Sequence, residues 1–290
     1  MNQILKRIKL FDFAVILFCL LTGFYILIGY KQLDNILNHI LIRVILLLII
    51  FTILRFGDSN NKIFQLFRNF YPILLIGFFY SETDYYNNLI FEDFDSILVN
   101  FESLLFGCQP SLEFSNYIPY RWFSEIMHFG YFSFYFISFG IPLLYYFKAR
   151  IEFEKTIFIL ISSFFFYYLI FIIFPSVDPQ FYFSAEQITV PDAYLFKYLM
   201  DIIITNFETQ TGAFPSSHVG ISVILLILTR KRFKVFFYIL IPLVSILFLS
   251  TIYLKAHYVI DILGGIISGI LFYWISNKIY YQFLNFKKEN

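Results

Sequence analysis

Apolar residues in this chain gather into long blocks separated by short polar breaks. Eight blocks cover residues 11–30, 36–55, 64–80, 128–147, 157–175, 217–229, 235–253 and 259–277. A helix needs about 20 such residues to cross a hydrocarbon core, so the pattern predicts an all-α, polytopic membrane bundle of about eight transmembrane helices. The sixth block is short and the third carries Pro72.

Two further stretches repeat their apolar positions at helical spacing but sit between blocks. In "DFDSILVNFESLLFG" (93–107), Phe94, Ile97, Leu98, Phe101 and Leu105 form one face, with Asp93 placed to cap it and Gly107 to end it. "DAYLFKYLMDIIITNF" (192–207) is a second amphipathic candidate. Loops this long and this apolar are not disordered segments. Both are expected to lie at the membrane surface and roof a site.

Composition agrees with the pattern: 59% of the 290 residues are hydrophobic and 14% are charged. A water-soluble chain of this size could not hide that much apolar surface. The net charge of +1 argues against a nucleic-acid partner. Cys19 and Cys108 form no disulfide framework. Lys6, Arg7 and Lys9 precede the first block as in a signal peptide, yet the block is too long and no small-residue cleavage site follows. It reads as an uncleaved first helix.

With a cytoplasmic N-terminus, 16 of the 21 Lys and Arg residues fall on or near the cytoplasmic side of an eight-span topology. The outer face keeps Lys31, Arg121, Lys197 and Lys255, while Arg43 lies inside the second block and either pairs or snorkels. Both termini are then inside, and the two amphipathic stretches lie in outer loops. No internal repeat or linker divides the chain, which reads as one structural domain.

The outer ends also hold the candidate chemistry. In "GAFPSSH" (212–218), Ser216 or Ser217 caps the sixth helix and His218 lies in its first turn, where free backbone N–H groups suit an anion. Thirty-nine residues later comes "HYVID", with His257 and Asp261 at i,i+4 on the same membrane face. A carboxylate so placed holds one ring nitrogen of an imidazole and leaves the other for a substrate. Gly265 and Gly269 continue that stripe, so it should face the bundle. Glu125, His128, Tyr131 and Tyr135 stand at the outer start of the fourth span as candidates to line a headgroup pocket. The short His–His spacing of a metal site is absent, so no metal or other cofactor is assigned.

"PSSH" followed by "HYVID" resembles motifs of the type 2 phosphatidic acid phosphatase superfamily, whose second motif is Pro-Ser-Gly-His and whose third ends His-x-x-x-Asp. The resemblance covers roughly residues 64–280. It implies a six-helix phosphatase-like core over residues 61–290, with residues 1–60 adding two N-terminal transmembrane helices. It implies that His257 attacks phosphorus, that Asp261 orients it, and that His218 protonates the leaving oxygen. Ser217 replaces the family's glycine, Thr251 replaces an arginine, and Gln180 stands where another arginine is sought. Ser216, Ser217, Thr251 and Lys255 are then the phosphate-binding candidates, and Gln180 joins the headgroup-pocket set. The stretches "LLFGCQPS", "EIMHFGYFSFYF", "GAFPSSH" and "YLKAHYVIDILGG" are similar to the inositolphosphotransferase branch, which includes inositol phosphorylceramide synthases.

The implied function is a membrane-embedded lipid phosphatase or phosphotransferase with an extracytoplasmic active site. Water as acceptor makes it a phosphatase, and an alcohol makes it a headgroup transferase. A non-catalytic lipid transporter or scaffold would use the same pocket. A haloperoxidase of the same superfamily would need arginine-rich pockets that this chain lacks.

Overall fold

The computed structural model describes residues 7–57, 60–207 and 209–289. The described residues are helical with no strand. In order they form α1 (Leu10–Ile28), α2 (Ile36–Arg55), α3 (Lys62–Tyr86), α4 (Asp95–Phe106), α5 (Pro110–Tyr117), α6 (Arg121–Lys148), α7 (Arg150–Ile173), a single turn α8 (Pro179–Tyr182), α9 (Leu195–Phe207), α10 (Ser217–Arg232), α11 (Lys234–Tyr253) and α12 (Val259–Glu289). Seven helices (α1, α2, α3, α6, α7, α11 and α12) are long and apolar enough to cross a membrane. The protein is a polytopic helical membrane bundle.

Local chemistry sets several helix ends. The Asn61 side chain accepts from Ile63 and Phe64 N–H at the start of α3. Gly107, at φ 71°, ends α4 as its position predicts. Pro110 opens α5, a helix that the hydrophobic pattern does not reveal because it is only eight residues long. Pro72 lies within α3 without ending it. The start of α4 differs from the prediction: Asp93 bonds the Asn88 side chain, and the helix begins at Asp95.

The sixth predicted span forms in its expected place as α10, but its 16 residues reach about 24 Å, short of a hydrocarbon core of about 30 Å. α10 is instead sheathed by α6, α7, α11 and α12. α7 is the central post, with 78% of its most apolar stretch buried, whereas α2 buries only 17% and stands at the periphery. Aromatic side chains fill the contact of α1 with α3 and α7: Phe18 stacks on Phe165 at 4.3 Å and meets Phe79 edge-on at 4.9 Å.

Charges inside the bundle are paired. Arg43 donates to Glu82 at 2.7 Å, with the His39 ring 3.6 Å from the same carboxylate. Asp12, fully buried, takes both ends of the Arg68 guanidinium and the Tyr71 hydroxyl. Removing one partner of such a pair costs about 3–5 kcal/mol, because the other is left charged and dry.

The closest backbone-to-backbone approach at a glycine joins α10 to α12. A Cβ on Gly269 would lie 2.6 Å from the Gly220 carbonyl oxygen, and one on Gly265 would lie 2.6 Å from the Ser216 carbonyl oxygen. Only hydrogen at these positions lets the two backbones meet. Gly269→Val should therefore lower the thermal midpoint of the purified protein, by an overpacking cost of about 1–3 kcal/mol. Gly140→Ala, on an open face of α6 with nothing within 4 Å, should leave the midpoint unchanged or raise it. Equal midpoints for both variants would remove the close contact from the account.

Candidate active site

The loop before α10 is fastened to the chain that follows α7. Gly212 and Ala213 N–H donate to the Ser176 carbonyl, and Phe214 N–H donates to the Ser176 hydroxyl. Ser216 then caps α10, its hydroxyl accepting from Val219 N–H at 3.3 Å. His218 follows in the first turn and is half-buried, its ring 4.9 Å from Tyr131 and 4.4 Å from Phe134.

The second motif is built where α11 ends. The Thr251 carbonyl accepts from both Ala256 and His257 N–H, at 2.9 and 3.0 Å. Lys255 makes the turn at φ 61°, a conformation that glycine adopts more readily. Its ammonium group holds the turn by donating to the Ser111 and Leu112 carbonyls and the Ser115 hydroxyl of α5. Burial pushes the Lys255 pKa down to about 8, with Glu113 pulling the other way. Gln180 N–H donates to the Lys255 carbonyl, which brings α8 alongside.

α12 starts with its free N–H groups met by acids. Tyr258 N–H donates to Asp261 Oδ2 at 2.8 Å. Val259 N–H donates to Glu102 Oε1 of α4 at 2.6 Å. Burial pushes the Glu102 carboxyl up to about 7, against those backbone bonds. Ser216 N–H donates to the Asp261 carbonyl at 3.0 Å, so the two motifs are joined backbone to backbone.

The side chains converge as a result. His257 Nε2 lies 3.4 Å from His218 Nδ1. On the other edge of the ring, His257 Nδ1 lies 3.3 Å from Asp261 Oδ2 and 3.8 Å from Asp178 Oδ1. His257 and Asp261 are buried. Burial pushes the His257 imidazole below its ordinary range, to about 3, with the Ala213 carbonyl acting in the opposite sense. A neutral ring with carboxylates beside Nδ1 and its Nε2 turned toward His218 can serve as a nucleophile.

A family model described as the PAP2 superfamily matches residues 97–275. The chain belongs to the PAP2 superfamily. The matched stretch runs from α4 into α12 and contains every element that shapes the histidine pair. No curated protein and no solved structure matches the chain. PAP2 membership supports a phosphatase-type activity on lipid phosphoesters at an integral membrane protein.

Within this PAP2 protein the remaining sequence candidates divide. Ser216, Ser217 and Tyr131 stand at the pair. Thr251 serves it through its carbonyl, while its hydroxyl bonds back to Phe248. Lys255 is turned to α5, so its three bonds serve the loop and leave a phosphate role without a donor. Glu125 is engaged within the protein: its two oxygens accept from Tyr194 and Phe196 N–H and cap the start of α9. The His128 ring is tied to the Ser124 carbonyl at 2.7 Å. The Gln180 side chain reaches Asp178, at 3.4 Å. Among the described residues, no group of three His, Cys, Asp or Glu is arranged to hold a metal ion.

Sequence reasoning missed Asp178 and Glu102. Asp178 stands before Pro179, which opens α8, and that proline was the available sign of a short helix presenting the carboxylate. Glu102 falls on the polar face of a predicted amphipathic helix, where nothing local distinguishes a cap for a distant helix from a solvated acid. Glu102→Ala should expose the first amides of α12. Hydrogen exchange at Val259 and Ile260 should speed up and the thermal midpoint should fall, by about 1–2 kcal/mol of lost capping. Unchanged exchange at those two amides would show that Glu102 does not hold the helix start.

Proposed function

We propose that this PAP2 protein cleaves or transfers a lipid phosphate ester through a phosphohistidine on His257. The observation that carries the reading is the 3.4 Å approach of His257 Nε2 to His218 Nδ1, with Asp261 and Asp178 behind the opposite edge of His257. His257 Nε2 forms a bond to phosphorus as the phosphorus–oxygen bond to the leaving alcohol breaks, and His218 delivers a proton to that oxygen. Water or an acceptor hydroxyl then gives its proton to His218 and attacks phosphorus, releasing the imidazole. Asp261 is the orienting carboxylate, and Asp178 adds a second negative charge beside the ring as it gains positive character. The first-turn N–H groups of α10 at Ser217 and His218, with the dipole behind them, cradle the phosphate oxygens.

The site faces away from the cytoplasm in this reading, because the basic residues gather at the other ends of the helices. The motif resemblance favours the inositolphosphotransferase branch, in which the acceptor is a lipid hydroxyl. Incubating the detergent-purified protein with lipid phosphates, with and without diacylglycerol or ceramide-like acceptors, separates the outcomes. Free phosphate marks a phosphatase, and a new phospholipid marks a transferase.

His257→Ala should abolish turnover and remove an acid-labile, base-stable phosphate adduct that wild type forms. His218→Ala should slow alkyl phosphate esters by roughly 10²–10⁴-fold and aryl phosphates far less, because an aryl oxide leaves without a proton. Near-normal turnover by His257→Ala, or an adduct mapped to Ser216 or Ser217, would overturn the mechanism.

The pH profile offers a second check. Burial lowers the pKa of both His257 and His218 to about 3. Below pH 6.5, the ordinary histidine value, His257 therefore stays a neutral nucleophile while more of His218 becomes the acid, and kcat/KM should hold or rise. An acid limb at or above that value would count against a buried neutral nucleophile. Sidedness follows from single cysteines in a Cys19- and Cys108-replaced background. An impermeant reagent should reach Ser184→Cys but not Lys231→Cys in intact cells, and the reverse pattern would invert the topology.

A further inference from the structure

A cavity of about 350 Å³, the space of roughly ten waters, opens far from the histidine pair. Lys287, in its wall, stands about 39 Å along α12 from Asp261. Arg7 and Lys9 before α1, Arg68 of α3, Arg150 at the start of α7 and Lys287 near the end of α12 line it, with Glu154 as the acid in the wall.

Among the described residues, the basic side chains of this wall outnumber its one acid. Arg68 is committed to Asp12. Lys9 Nζ meets a neutral acceptor, Asn69 Oδ1, at 2.7 Å. Arg7 donates to the Arg55 carbonyl at 2.7 Å. Arg150 stacks over Tyr146 at 3.9 Å. Lys9, Arg150 and Lys287, three cations from three separate regions, therefore share the cavity with Glu154 among the described residues. The N-terminal ends of α1 and α7 border the same cavity through Lys9 and Arg150.

The Lys9 amine behaves as part of this cluster. Its pKa is lowered by burial first; Glu154 raises it, and Arg68 and Arg150 lower it further. Convergence from residues far apart in sequence distinguishes this cavity from basic side chains scattered along a membrane boundary. Those satisfy the topology bias without sharing a space.

We propose that this basic cavity is a second anion site, which takes the phosphate group of an anionic lipid headgroup or free inorganic phosphate. Arg150 and Lys287 are exposed and contribute the fork and the point charge that suit phosphate oxygens. Lys9 and the two helix ends supply the inner wall. The reading is independent of the histidine chemistry, since no residue is shared.

The test compares wild type with an Arg150→Gln, Lys287→Gln double variant. Both changes are on exposed side chains, and size exclusion verifies the fold. Each protein is extracted from vesicles of mixed phosphatidylcholine and phosphatidylglycerol, and bound lipid is counted by native mass spectrometry. Thermal midpoints are measured in parallel with and without inorganic phosphate. Wild type should retain phosphatidylglycerol over phosphatidylcholine, and the double variant should hold it more weakly by about five-fold per cation removed. That outcome names a lipid headgroup as the source. A phosphate-dependent rise in midpoint, present in wild type and lost in the variant, without preferential lipid retention, names free phosphate. If wild type and variant retain both lipids alike and phosphate moves neither midpoint, the site does not exist.

Discussion

The contact on which the rest of the structure depends is the backbone approach of α10 to α12. Gly220, Gly265 and Gly269 remove the side chains that would hold the two helices apart. Ser216 N–H then reaches the Asp261 carbonyl, and two histidines 39 residues apart in sequence come within 3.4 Å. In an apolar solvent, helices gain little by hiding apolar faces from one another, so close packing and backbone contact carry the association. The stripe that permits the packing also carries Asp261. Assembly of the helices and assembly of the histidine site are one event.

Polar groups at this site are expensive to bury, and the short outer helices lower that cost. α4 lends Glu102 to the open start of α12, α5 lends carbonyls to Lys255, and α8 brings Asp178 beside His257. α9, itself capped by Glu125, contributes Met200 to the packing around Tyr131, which in turn lies against His218. These elements are too short to span a hydrocarbon core. They supply hydrogen-bond partners that an apolar span lacks, and so let ionisable groups sit at the mouth of the bundle.

The far ends of the helices solve the same problem differently. Arg68 and Asp12 neutralise one another there inside the packed core, as Arg43 and Glu82 do nearer the histidine end. Arg150 and Lys9, nearer the boundary, rest on ring faces and amides. α12 links the two ends as one long helix, with the Asp261 carboxylate in its first turn and Lys287 near its end, a placement its dipole favours.

Hydrophobic periodicity determined the helical membrane class and the place of the long helices, and together with the basic-residue bias it set both histidine motifs at one end of the bundle. Those are local properties: block length reports a membrane crossing, and i,i+4 spacing reports a helix face. The ends of α4 and the length of α10 were less legible, because one cap residue or one turn barely changes the apolar pattern. Partner choice was not legible at all. Glu125 and Lys255 read from sequence as candidates for substrate, and nothing local singles out Glu102. Only the tertiary structure assigned Glu125 to the start of α9, Glu102 to α12 and Lys255 to α5, and added Asp178 to His257. A buried charge takes whichever partner the packed backbone brings within hydrogen-bond reach, and that partner lies 69, 157 or 143 residues away in the chain.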